Sequence, residues 1–310
     1  MILLLQGLLI IALAPLLLGW MKKLKAWTQH RCAPPLLQPY FDLHKLLCKQ
    51  PVISVHASWL FKIAPYVYVA CLTLVCFSVS FFSSLSLLSP YFDVIVIVGI
   101  LSLSRIIMAL AAMDIGTAFG SMGARRHMFL SCLVEPVLLL VFLNIALMTH
   151  TLTLNGMTIF LINNPHFYPG LIFSLCAFAF VFSAENSRIP FDNPATHLEL
   201  TMIHEAMILE YSGRYLALIE FGNSLKFTLF LVLLIMLFIP FGLAINTTPL
   251  ALIIGFASTL FKLFFCISVI AILEALHAKI RIFRIPEYLS IAFFLALMGI
   301  ILTQLTGAAL

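Results

Sequence analysis

Apolar residues run along this chain in long blocks that hold almost no charge, and polar residues collect between the blocks. A helix needs about 20 apolar residues to cross the hydrocarbon core of a bilayer. Eight blocks approach or exceed that length, near residues 2–20, 63–88, 92–112, 129–149, 169–184, 225–245, 250–275 and 288–306. The pattern predicts an all-α polytopic membrane protein with about eight transmembrane helices, in one membrane domain over residues 1–310. The 169–184 block is the shortest, and the 63–88 block is long enough to tilt or to run past the interface. The first block imitates a signal sequence only in Ala12-Leu13-Ala14. No basic residue precedes it, and Lys22, Lys23 and Lys25 follow it as anchors of a retained helix.

The polar segments alternate in charge. Segments 21–62, 113–128, 185–224 and 276–287 carry nearly all the Lys and Arg, whereas 89–91, 150–168 and 246–249 carry none. The positive-inside rule makes the first group cytoplasmic and puts both termini on the other side. Two of these segments, after spans 1 and 5, are too long to be simple connections. The first contains prolines at 34, 35, 39 and 51 around a short amphipathic piece, Tyr40–Gln50. In the second, Pro190 and Pro194 flank Asp192, and helical periodicity over 195–212 ends or bends at Gly213.

Composition narrows the class. The chain is 63% hydrophobic and 9% charged, against roughly 25% charged in an ordinary globular protein. Mean hydropathy is +1.14. A soluble enzyme, a secreted disulfide scaffold and a nucleic-acid binder are excluded, and the bilayer is the expected environment. The seven cysteines form no C-x-x-C pair and mostly sit in apolar runs, which argues against a metal or iron–sulfur site built by this chain alone. No phosphate loop, nucleophile elbow or cofactor fingerprint is present.

The few carboxylates are therefore informative. Glu135 lies inside the fourth block, Glu274 closes the seventh, and Glu185 stands where the fifth gives way to the long segment. A carboxylate at membrane depth costs at least about 2.5–3.5 kcal/mol, so it is neutral, paired or functional. Glu135 reads as a proton- or ion-handling group, with a packing salt bridge to Arg105, Arg125, Arg126 or Lys262 as the alternative. Glu199 and Glu210 are eleven residues apart, close to three helical turns, and would share a face. His197, Thr201 and His204 would form a neighbouring stripe. Such a ladder lines a wet path or is the solvated, subunit-facing side of an interfacial helix, and the pattern favours neither.

The same loops resemble a known family. Arg31, followed by APPLLQPYFDLHKLLCKQPV with Gln38, Asp42 and Lys45, resembles the first cytoplasmic loop of the membrane-arm heel (H) subunit of respiratory complex I. Met122-Gly123-Ala124-Arg125-Arg126 ahead of Leu133-Val134-Glu135 resembles the small-Arg run that precedes the intramembrane Glu of that family. ENSR-x-PFD at 185–192, then E-L and EYSG, is the most specific match. Within this superfamily, THLELTMIHEAMILEYSGR lacks the E-L-V-x-G form, and ILEALHAKIRIFRIPEYL lacks the R-A-x-x-P-R-x-R-x-D run. Both are closer to the membrane anchors of energy-converting [NiFe]-hydrogenases, formate hydrogenlyase and hydrogenase-4 complexes.

That resemblance implies a membrane-anchor and proton-coupling subunit of a multi-subunit oxidoreductase in the inner membrane of a prokaryote, without a redox centre of its own. It implies iron–sulfur and large, hydrogenase-like subunits docked on the cytoplasmic loops, and antiporter-like membrane subunits alongside. Glu185, Asp192, Glu199, Glu205 and Glu210 would form the cytoplasmic inlet for protons. Glu135 would be the intramembrane relay, with Glu274 a further candidate. Arg31, Gln38, Asp42, Lys45, Arg125, Arg126 and Arg188 would hold the loops, several of them against the docked arm. The alternatives are the quinone-binding heel subunit of complex I itself, against which the two departures count, and a stand-alone transporter, against which the lack of repeated halves counts.

Overall fold

The computed structural model describes residues 2–84, 92–164, 166, 168–188, 203–244, 248–277 and 284–307. Among these, the chain forms eleven helices: α1 Ile2–Thr28, α2 Gln38–Cys48, α3 Trp59–Ser78, α4 Val94–Asp114, α5 Ala118–Thr149, α6 Leu154–Asn163, α7 Pro169–Glu185, α8 His204–Ile208, α9 Gly213–Phe238, α10 Pro249–Leu276 and α11 Ile285–Gly307. Seven of them are long and apolar enough to cross a membrane: α1, α3, α4, α5, α9, α10 and α11. The eighth expected span is α7, which has 17 residues and the same apolar character. At 1.5 Å per residue α7 covers about 25 Å, short of a hydrocarbon core about 30 Å thick.

The contacts sort the chain into two ends. At one end, Ser58 caps α3 through the Leu60 amide, and its own N–H donates to Asp114 Oδ2 at 2.8 Å, tying the start of α3 to the end of α4. Lys25 near the end of α1 pairs with Glu274 near the end of α10. At the opposite end, buried Gln6 of α1 accepts hydrogen bonds from the Phe81 and Phe82 amides beyond α3. The chain beyond α9 pairs there too: Ala244 N donates to Phe82 O at 2.9 Å, and Ser84 N to Ala244 O at 3.0 Å. Backbone that leaves a helix within hydrocarbon must find partners, which accounts for this strand-like patch. Described residues of segments 21–62, 113–128 and 185–224 meet at the first end, through Ser58 with Asp114 and Val52 with Ser212.

Several boundaries differ from those the sequence suggests. Residues 118–128 are helix rather than connection, so α5 begins eleven residues before the apolar block at 129. Gly120, Gly123 and Ala124 are buried on this stretch while Phe119, Met122 and Arg125 are exposed, so the helix continues with one face packed in the bundle. Within 203–212 only the five residues of α8 are helical, and the preceding part of the expected 195–212 helix lies outside the described residues. Gly213 opens α9 rather than closing a helix.

The reason is local. At φ +55°, a Cβ on Gly213 would lie 2.8–2.9 Å from the Lys49 carbonyl oxygen and Gln50 carbonyl atoms, a conformation and a gap that glycine tolerates best. Ser212 Oγ accepts from Val52 N and donates to Val52 O. The Tyr211 ring stacks on Phe61 at 3.9 Å, and its hydroxyl donates to Phe61 O. Burial, with Asp114 nearby, pushes the Tyr211 phenol up. The EYSG run therefore clamps the first long segment to the start of α9.

Candidate functional site

α4, α5, α7 and α9 each bring one charged side chain to a common place. Arg105 sits nine residues before the end of α4, about 13 Å in from that end. Its Nη2 lies 2.7 Å from Glu135 Oε1 on α5, and its Nη1 pairs with Glu185 Oε1 at the end of α7. The other Glu185 oxygen is 2.7 Å from Lys226 Nζ on α9. The result is a continuous run, Glu135–Arg105–Glu185–Lys226, with two acids and two bases. Glu185 is the last residue of α7 and is nevertheless buried.

Exposure is graded along this run. The side chains of Arg105, Glu185 and Lys226 are 3%, 4% and 10% exposed, whereas that of Glu135 is 34% exposed. Buried charges on this scale hold only when paired, and removing one partner costs about 3–5 kcal/mol. Two histidines border the run, His127 of α5 and His204 of α8, with ring centres 6.5 Å apart. Burial, reinforced by Lys226, pushes the His204 imidazole down to about 4, against a hydrogen bond with Asn223 that raises it.

A second cluster lies on the neighbouring side of α9. Glu274 pairs with Lys25, and Arg188 Nε stands 4.0 Å from its other oxygen. The Arg188 guanidinium also lies over the Phe227 ring at 4.7 Å, one residue from Lys226.

Of the residues expected from sequence, Glu135, Glu185 and Glu274 are thus brought into two adjoining clusters. Glu205 is half-buried on α8 and Glu210 is exposed just beyond it. Asp192 and Glu199, with His197 and Thr201, lie outside the described residues. Gln38 donates to Asp42 Oδ1 at 2.9 Å within α2, where Lys45 is exposed. Arg31 and Arg125 are exposed, and Arg126 is half-buried on α5 beside His127. Arg188 points into its own chain, at Glu274 and Phe227.

The sequence pattern offers Arg105 only as one of four counter-ions, and it does not single out Lys226 or His127. A single cation inside an apolar run is the available signal: NSLKFTLFLVLL carries Lys226 as plainly as CLVEPVLLL carries Glu135. A lone base at membrane depth is as costly as a lone acid.

A match to the NADH dehydrogenase family covers residues 1–304. The chain is 30% identical to hydrogenase-4 component C of Escherichia coli (strain K12) over 297 residues, 95% of this chain and 92% of that protein. It is 30% identical to formate hydrogenlyase subunit 4 of the same organism over 289 residues, 92% of each. It is also 30% identical to the H subunit of NADH-quinone oxidoreductase of Rickettsia prowazekii (strain Madrid E), over 190 residues, 61% of this chain and 55% of that protein. Among solved structures, a chain of the membrane-bound sulfane sulfur reductase, an archaeal respiratory membrane complex, superposes with a TM-score of 0.83 at 20% identity, covering 98% of this chain and 100% of that one. The shared fold, the loop motifs and a match over nearly the whole length agree: this chain is a multi-pass membrane protein that belongs to the NADH dehydrogenase family, in its complex I subunit 1-like group.

Proposed function

We propose that the chain is the membrane-anchor and proton-coupling subunit of a prokaryotic inner-membrane oxidoreductase of the energy-converting hydrogenase or formate hydrogenlyase type. Near-complete coverage of hydrogenase-4 component C and formate hydrogenlyase subunit 4, against 61% of this chain for the NADH-quinone oxidoreductase relative, favours that branch. Electron transfer belongs to iron–sulfur and large subunits docked on the loop-bearing end, and ion movement to antiporter-like subunits beside it. The quinone-binding alternative predicts bound quinone and inhibitor sensitivity in the purified complex, where this reading predicts hydrogen or formate turnover.

The observation that carries the coupling role is the run Glu135–Arg105–Glu185–Lys226. Glu185 holds two cations at once. A proton delivered to it removes the charge that holds both, leaving Arg105 to Glu135 alone and Lys226 without its acid. Such a run has two arrangements separated by one proton, which is what a coupling element requires.

Glu185→Gln keeps the shape and most of the hydrogen bonding but cannot titrate. The stranded Lys226 charge should lower the amount of assembled complex, so vesicles are matched for assembled complex by blot, and turnover-linked proton uptake per complex should then fall by about a hundredfold or more, the loss expected of a removed proton-transfer group. Full proton uptake by an assembled Gln variant overturns the coupling role.

A further inference from the structure

His127 and His204 stand beside the Arg105 run, and the coupling scheme above gives neither a task. They come from different elements, and a close approach of two helices brings them together. α8 lies against α5 at Gly123, where a Cβ would fall 2.9 Å from the Ala206 Cβ and 3.1 Å from the Ile203 carbonyl oxygen. His127 is four residues beyond Gly123, about one turn further along the same face of α5. His204 lies between the two α8-side contacts, Ile203 and Ala206. The two ring centres are then 6.5 Å apart. That is too far for a direct hydrogen bond and suits one bridging water.

The His204 ring is also held from a second side. It is hydrogen-bonded to Asn223 of α9, and Tyr68 of α3 donates its hydroxyl to Asn223 Oδ1 at 2.9 Å. Tyr68 is itself fixed, because its ring fills the place of a side chain at Gly222, 2.4 Å from where that Cβ would stand. α3 and α9 thus set the position of a ring carried by a helix of five residues. Exposure falls along the pair: His204 is half-buried, and His127 is 8% exposed. The charged groups around the pair are those of the run. Lys226 is within electrostatic reach of both rings, and Glu185 and Arg105 are within reach of His127. Burial and Lys226 keep the His204 imidazole neutral at neutral pH, and a neutral imidazole can pass a proton on without storing it.

We propose that His204 and His127 are the proton-transfer pair through which the loop-bearing end supplies Glu185. A proton from water is taken up at the His204 ring nitrogen that does not bond Asn223. It crosses one water to His127 and ends on the Glu185 carboxylate. Each imidazole is neutral again after its transfer, so the only net change is one proton gained by Glu185. The Lys226 cation repels each imidazolium, so the proton does not rest on either ring. Asn223 and Tyr68 are positioning residues. The proposal rests on the coupling role of the run and adds its inlet.

The test uses vesicles carrying the whole complex, matched for assembled complex by blot. His127→Gln and His204→Gln should each lower turnover-linked proton uptake per complex by about a hundredfold, as for other proton-transfer groups. Tyr68→Phe keeps the ring against Gly222 and loses one neutral hydrogen bond, so it should cost about two- to tenfold. His204→Ala separates transfer from packing. Added imidazole should raise its turnover-linked membrane potential, a signal that a permeant buffer does not collapse, by about tenfold, the scale of a proton-transfer group partly replaced. The same addition should leave Glu185→Gln unchanged. Uptake near the parent level in His127→Gln or His204→Gln, with Glu185→Gln still defective, overturns the histidine route and leaves the coupling role standing. A response of His204→Ala to imidazole no larger than that of the parent complex shows that His204 only seats α8, and overturns the route as well. Undiminished uptake in Glu185→Gln removes the coupling role itself, and the route with it.

Discussion

α9 and α10 are adjacent apolar helices, and each carries a lysine well inside its apolar run. Lys226 of α9 is buried and pairs with Glu185. Lys262 of α10, midway along its helix, is half-buried and donates to the carbonyl oxygens of Ile239, at 2.8 Å, and Phe241. Those carbonyls belong to the chain just past the end of α9, where Pro240 and Gly242, at φ +80°, prevent the helix from continuing. One lysine answers a carboxylate, the other answers the negative end of a helix dipole. Two solutions to the same desolvation cost have different consequences. A carboxylate partner can be protonated and so released, whereas a carbonyl partner cannot. The pair at α9 is therefore suited to switching and the pair at α10 to holding backbone.

That contrast breaks first at Arg105. Arg105→Met leaves Glu135 and Glu185 beside each other with one base, Lys226, for the whole set. The loss should be about 3–5 kcal/mol, the largest of these effects. It is read as failure of the full-length chain to accumulate in membranes, or as a steep fall in its melting temperature in detergent. A near-normal melting temperature would mean that the Arg105 pairs add no stability. Next comes Lys226→Met. Glu185 keeps Arg105, so the chain should fold and assemble, but proton uptake by vesicles carrying the whole complex should drop about a hundredfold, the low end of what a lost proton-transfer partner costs. Undiminished uptake would put Lys226 in the same class as Lys262.

How far the sequence foretells this contrast can be judged residue by residue. The helices are legible because each spanning helix carries an apolar run long enough to cross a bilayer, whether or not that run is packed inside the bundle. Glu135, Glu185 and Glu274 stand out as acids beside or within apolar runs. Their partners do not. Arg105 on α4 meets Glu135 30 residues later and Glu185 80 residues later, and no periodicity encodes contacts between helices. The start of α9 is illegible because Gly213 in sequence marks a helix end as readily as a helix beginning. Only its contact with Lys49 and Gln50 on a distant segment decides which.

A smaller effect comes from His204, which lies outside the spans and faces the same run. Its imidazole titrates near 4 in the folded chain, down from an ordinary value near 6.5, because burial and Lys226 disfavour the cation. The unfolded chain binds the proton first as pH falls. Stability attributable to this residue is thus full above pH 6.5 and is lost as the pH drops toward about 4. By linkage the loss at pH 5 is about 2 kcal/mol. His204→Gln, neutral at every pH in this range, should flatten the melting-temperature profile between pH 6.5 and pH 5 relative to the parent chain. A profile that keeps its full slope would show that other groups carry the acid sensitivity.

The smallest expected effect is at Lys262, and it completes the comparison with Lys226. Lys262→Met removes a cation that has no carboxylate to strand, so no uncompensated charge is left behind. What it leaves is a pair of carbonyl oxygens, on Ile239 and Phe241, without their donor. An unmade hydrogen bond of this kind costs about 1–3 kcal/mol when buried, and the Phe241 carbonyl is partly open, so the low end of that range applies. Melting temperature should fall modestly, and proton uptake by the assembled complex should stay at the parent level. Lys262→Gln, which keeps a donor but no charge, should recover part of the stability if the lysine serves the backbone. If Lys262→Met instead abolished proton uptake in an assembled complex, the lysine would have to titrate during turnover, and the division between a switching pair on α9 and a holding pair on α10 would fail.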